Sequence, residues 1–258
     1  NSFEKNDAYY CSIKGLKRIT ENPFEYVKIL LKRIPNVLYP SFYRDGVSLK
    51  YKINERTIMF FITIGIGLKL GLFPLHVWLP NAYAYAPSVV TAFLAATATK
   101  VAVYALLRVY FSIFGINLFS ALPIAEVLLI LGLIAIISMS TVAIYQNNAK
   151  RLLAYSSVAQ VGYMVIGISM LTITGLTATI LHLFNHALIK GALFLALAAV
   201  FYRIKSVKVE DMAGLGKAMP YTMAAFVAAG FSLIGIPSSV GFISKWYLIL
   251  GALEKDWW

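Results

Sequence analysis

A chain of 258 residues with 60% hydrophobic side chains, 13% charged ones and a mean hydropathy of +0.75 is too apolar for a water-soluble domain, whose surface needs about twice that charge. A formal charge of +12 would otherwise point to nucleic acid, but no basic patch is interleaved with stacking aromatics and no zinc-finger or helix-turn-helix spacing occurs. Cys11 stands alone, so there is neither an intrachain disulfide nor a cysteine-ligated cluster.

Residues 1–56 are a different kind of polypeptide from the rest. They hold 11 of the 23 basic and 6 of the 11 acidic side chains. Their one recognisable pattern is Asn22-Pro23 followed by Phe24, Val27, Leu30, Leu31 and Ile34, with charged residues between them. This predicts an amphipathic helix with an Asn cap and proline in its first turn, lying on a membrane surface or packed as a solvated helix. The chain opens on Asn1 with no signal-peptide pattern and stops just after an apolar run, so it is expected to be a piece of a longer protein.

From residue 57 onward, apolar stretches of about 20 residues predict about six transmembrane helices. The first covers 57–80, the second 88–110 and the third 122–145. The uncharged region from Leu152 to Tyr202, broken only by Lys190, would be about 75 Å long as one helix against a hydrocarbon core of about 30 Å. It therefore holds two spans, with a break at Thr172–Gly175. The sixth begins near Ala218, meets Gly235-Ile236-Pro237 and resumes through Gly251. Pro74 and Pro237 each free a backbone carbonyl, which lipid cannot satisfy, so both prolines are expected to break their helices and point inward. Among the loops, Lys150, Arg151, Arg203, Lys205, Lys208 and Lys217 fall on one side, the better candidate for the cytoplasm.

Four lysines lie inside these spans: Lys69, Lys100, Lys190 and Lys245. Each costs about 2.5 to 3.5 kcal/mol at a helix centre on insertion scales, so four together need a reason. Lys69, five residues before Pro74, and Lys245, eight after Pro237, are expected beside the helix breaks. Desolvation favours neutral lysine while a nearby carboxylate or water chain favours the cation, so small changes in surroundings let such a residue hold and release a proton. The alternative is snorkelling of the ammonium to the interface. His182, His186 and Lys190, spaced four and four, form one polar stripe about 12 Å long, able to relay protons, to bind a metal, or to join helices in a structural network. No glutamate or third ligand accompanies the two histidines, so no metal site is expected. Without a GxGxxG fingerprint, a P-loop or a cysteine cluster, no cofactor site is expected either.

The segment LFPLHVWLPNAYAYAP (72–87) resembles the antiporter-like subunits shared by Mrp-type cation/proton antiporters and respiratory complex I. The resemblance continues through AFLAATATKVAVYALLR (92–108), KRLLAYSSVAQVGYMVIG (150–167), HLFNHALIKGALF (182–194) and GIPSSVGFISKWYLILGALE (235–254). WLPNAYAYAPSVV with SKWYLILGALE is most similar to the D-type antiporter-like polypeptide of the Mrp branch. The resemblance implies an all-α integral membrane fold over 57–258, part of a pair of inverted repeats with two discontinuous helices, in a multi-pass protein of the cell's inner (plasma) membrane. It implies that protons pass along Lys69, Lys100, the His182/His186/Lys190 stripe and Lys245. It also implies partner subunits in a hetero-oligomeric complex, exchange of protons for Na+, and a cytoplasmic location of the basic loops. A complex I or membrane-bound hydrogenase subunit is the second reading, and a structural membrane scaffold the third. The family's essential glutamate, several helices before the first lysine, has no counterpart at Glu4, Glu21, Glu25 or Glu55.

Overall fold

The computed structural model describes residues 55–256. The helix expected at Asn22–Ile34 lies outside them. The described residues are helical with no strand: α1 (Glu55–Leu70), α2 (Trp78–Tyr85), α3 (Ser88–Leu107), α4 (Gly115–Ser120), α5 (Ile124–Ile144), α6 (Ala149–Ser169), α7 (Ile173–Ile204), α8 (Leu215–Ala218), α9 (Pro220–Ile234) and α10 (Val240–Leu253). A π-helical turn, Arg108–Ile113, extends α3. Four helices are long and apolar enough to cross a membrane: α3 with its extension, α5, α6 and α7. The pairs α1/α2 and α9/α10 are too short singly, but each pair reads as one interrupted crossing of about 35 to 45 Å. That gives the six spans expected, two of them discontinuous. Alternation makes the first and last crossings run in opposite senses, as inverted repeats require.

Local chemistry sets the boundaries. The Asn148 side chain caps α6 by accepting from Lys150 N at 2.9 Å and Arg151 N at 3.3 Å. Thr172 caps α7 by accepting from Gly175 N at 3.0 Å, so the break expected at 172–175 falls at 170–172 and residues 173–175 form the first turn of α7. Gly71 (φ 72°) and Gly235 (φ 88°) end α1 and α9 in the left-handed region, where a side chain would be strained.

Small residues let the helices meet. A Cβ on Gly162 of α6 would lie 2.8 Å from Gly132 O of α5, so the two backbones touch there. At the second break a Cβ on Gly241 would lie 1.8 Å from Ser232 O, which leaves no alternative to glycine where α10 crosses the end of α9. The central helix is α7, packed against α3, α6, α9 and α10. α6 is the most buried span and α5 the least. The basic end is organised by Ala149 N donating to Val207 O and Val209 N to Asn147 O, both at 2.9 Å, so the α6 entrance and the α7 exit lie together with Lys150, Arg151, Arg203 and Lys208.

Candidate proton path

Lys190 is fully buried on α7 and reaches α6, where its Nζ donates to Leu153 O at 2.7 Å and to Ser156 Oγ at 2.6 Å. Lys100 is 4% exposed on α3, and its ammonium turns back to Ala95 O of its own helix. Lys245 on α10 folds across the second break, donating to Leu233 O at 3.1 Å and Ile234 O at 2.9 Å. Its Nζ also lies 5.0 Å from the centre of the Tyr163 ring of α6. All three ammonium groups are solvated by neutral oxygens or an aromatic face. Carbonyl and hydroxyl partners serve both NH3+ and NH2, whereas a carboxylate would hold the lysine in its cationic form.

The two histidines lie on α7, against which the helices of Lys100 and Lys245 pack. His182 and His186 are 3% and 1% exposed, with rings stacked at 5.9 Å. His182 Nδ1 is 2.9 Å from Ser244 Oγ, the residue before Lys245, and its ring lies 6.0 Å from Tyr163. Neither ring nitrogen of His186, nor His182 Nε2, bonds to a described protein group. Buried polar atoms are nearly always paired with protein or water, and imidazole offers one donor and one acceptor. His186 stands one turn before Lys190 on α7, the helix against which α3 with its Lys100 packs. The arrangement thus gathers Lys245, Ser244, His182, His186, Lys100 and Lys190 where α10, α3 and α6 pack on α7. It can pass protons between groups whose hydrogen-bond partners, among the described residues, carry no fixed negative charge.

The structure corrects two sequence expectations. Pro74 and Pro237 lie in the two breaks, but both side chains are exposed instead of pointing inward. The helices already end at Gly71 and Gly235, and the prolines follow in the connectors. What faces the protein at the second break is the carbonyl end of α9, satisfied by Lys245. At the first break, Trp78 Nε1 donates to Leu68 O at 2.9 Å. Lys69 likewise does not join the buried group: it sits in the last turn of α1, beside the break, with its side chain exposed.

Other residues escaped the sequence reading. α6 presents Ser156, Gln160 and Tyr163 at spacings of four and three, the period of one helix face, and Gln160 is buried with Oε1 unpaired among described protein groups. Lys150, read only as a loop charge, is 6% exposed and donates to Ala86 O at 3.1 Å, just past the end of α2. Arg151 joins it through Asn81 Oδ1 at 3.3 Å. Among the described residues, no three His, Cys, Asp or Glu side chains gather as a metal site would require.

Residues 42–258 match the family described as NADH:quinone oxidoreductase/Mrp antiporter, transmembrane region. The chain belongs to this family. The match begins ahead of residue 57, where the sequence reading places the start of the membrane domain. Among curated members of the family, NADH-quinone oxidoreductase subunit N of Desulforudis audaxviator is 47% identical over 201 residues, covering 77% of this chain and 39% of that protein. Among solved structures, the Mrp complex of Dietzia sp. contains a chain superposing with a TM-score of 0.74 at 31% identity, over 78% of this chain and 37% of that one. Respiratory complex I of Thermus thermophilus contains another, with a TM-score of 0.65 at 30% identity, over 78% of this chain and 43% of that one. The chain thus spans about two fifths of the length of its relatives. As an antiporter-like family member it is an integral membrane protein whose structural neighbours are subunits of multisubunit membrane complexes.

Proposed function

We propose that this chain is part of a proton-translocating subunit and that Lys245, His182, His186, Lys100 and Lys190 form the inner section of its path. The observation that carries this is the burial of Lys100, Lys190 and both histidines, with the half-buried Lys245 beside them, without a carboxylate partner among the described residues. A structural role would be served more cheaply by apolar packing, since removing a charge from water costs several kcal/mol even after relaxation. Lys69, exposed next to the first break, is assigned to the same path. The complex is placed in the cell's inner (plasma) membrane with the basic end toward the cytoplasm, and its partners are other membrane subunits.

The driving reaction in this proposal is quinone-linked electron transfer in partner subunits. The support is the 47% identity to a subunit named for NADH-quinone oxidoreductase, against 31% for the Mrp chain. Sodium/proton antiport is the second reading, favoured by the superposition on a chain of the Mrp complex. Purifying the full-length protein with its partners and recording proton movement in vesicles separates them. Acidification driven by a quinone reductant without a sodium gradient supports the first, and movement driven by a sodium gradient alone supports the second. A scaffold gives neither, or gives flux unaffected by replacing the buried lysines.

A further inference from the structure

Lys245 is met from two helices, and its neighbour Ser244 from a third. The carbonyls of Leu233 and Ile234 come from α9, the ring of Tyr163 from α6, and His182 from α7, where it is bonded to Ser244 beside the lysine. An ammonium has three donors. Two are taken by the α9 carbonyls, and the Tyr163 ring lies within the range in which a cation is drawn to an aromatic face. The same ring adjoins His182 at 6.0 Å, tilted by 56°. Tyr163 therefore stands against both Lys245 and His182, and among the described residues no carboxylate is one of their hydrogen-bond partners.

We propose that Tyr163 is a positioning residue for proton transfer, its ring face taking the place of a counter-ion for the Lys245 ammonium and holding it at the α9 carbonyl end, turned from His182. This inference rests on the proton-path reading above. Loss of the proton removes the attraction to the ring and weakens both carbonyl contacts, because neutral NH2 is a poorer donor. The amine is then free to leave the α9 end. Tyr163 thus sets the pH at which Lys245 gives up its proton, while the carbonyls set where the ammonium rests.

The test uses the full-length protein in its assembled complex, in vesicles, with proton flux recorded against pH and assembly verified by copurification. Removing an attraction made only to the cation lowers the proton affinity of Lys245, so the alkaline limb of the profile must move to lower pH. Tyr163→Leu is expected to move it by about one pH unit, a tenfold loss of proton affinity. Tyr163→Phe, which keeps the ring face, is expected to reproduce the wild-type profile. Tyr163→Met serves as a second ring-free variant should Tyr163→Leu not assemble. Coinciding profiles for the ring-free variant and wild type would overturn the proposal, as would a Tyr163→Phe profile coinciding with the ring-free one. A parallel Lys245→Ala measurement separates the two levels. If it abolishes flux while the ring-free variant leaves the profile in place, only the role of Tyr163 falls. If Lys245→Ala retains wild-type flux, the proton path through Lys245 falls with it.

Discussion

Lys245 Nζ lies 2.9 Å from Ile234 O, so the cation of one half-helix closes the carbonyl end of the half-helix before it. A helix C-terminus carries unsatisfied carbonyls and a partial negative charge, and in a membrane neither is met by water. Lys245 meets both without a carboxylate. Lys245→Ala is expected to leave these carbonyls uncompensated, lowering thermal stability by about 1 to 3 kcal/mol and abolishing flux. Lys245→Arg keeps the charge and is expected to restore the stability but not the flux, because arginine does not release its proton. Thermal unfolding of the purified complex, paired with vesicle flux, checks both.

Lys190 reaches α6 through Leu153 O and Ser156 Oγ. Ser156→Ala removes one partner and leaves the carbonyl, so proton flux is expected to fall several-fold while assembly persists. Lys190→Ala removes the titrating group, and a loss of at least tenfold is expected in the same assay. Equal effects of the two substitutions would assign Lys190 to helix joining alone.

Lys150 and Lys190 are both buried on the α6/α7 side but are expected to behave differently. Lys150 bonds to Ala86 O and stands over the Phe201 ring at 5.8 Å, which makes it a strut between the α6 entrance and the end of α2. Lys150→Met keeps much of the packing and loses the bond. A stability loss of about 1 to 2 kcal/mol is expected by thermal unfolding, with flux per assembled complex changed less than twofold.

Gly132 and Gly162 bring the α5 and α6 backbones into contact. Any Cβ at Gly162 meets the carbonyl oxygen of Gly132 at 2.8 Å and the Cγ1 of Ile136 at 3.0 Å. Gly162→Val is expected to force the helices apart at a cost of about 1 to 3 kcal/mol. Because α6 carries Ser156 and Tyr163, flux should fall along with stability. A less stable complex with unchanged flux per assembled unit would show that the α6 face does not depend on this contact.

Much of the architecture is legible in the sequence because membrane helices announce themselves by length and hydropathy. The interruption at Gly235–Pro237 is found where the turn residues stand, and the break expected at 172–175 is found just before it, at 170–172. The stripe of His182, His186 and Lys190 is equally readable, since spacings of four keep side chains on one helix face. The direction of a side chain at a break is a different matter. Pro74 and Pro237 mark the interruptions, but only the three-dimensional path shows that glycine ends each helix and that a lysine or a tryptophan receives the freed carbonyls. Lys69 and Lys245 look equivalent in sequence, each near a proline, yet one is exposed and the other folded into the break. Ser156, Gln160 and Tyr163 carry no charge to draw attention, and their part emerges only when α6 is laid against α7 and α10.

The most direct measurement is proton flux in vesicles containing the full-length protein in its complex, comparing wild type with Lys100→Ala at verified equal assembly. Lys100 is buried on α3 and, among the described residues, its ammonium bonds within its own helix, so its removal disturbs the path more than the packing between helices. Loss of flux by at least tenfold is the expected result. Wild-type flux from the Lys100→Ala complex would contradict the account and leave the buried lysines and histidines as a structural network.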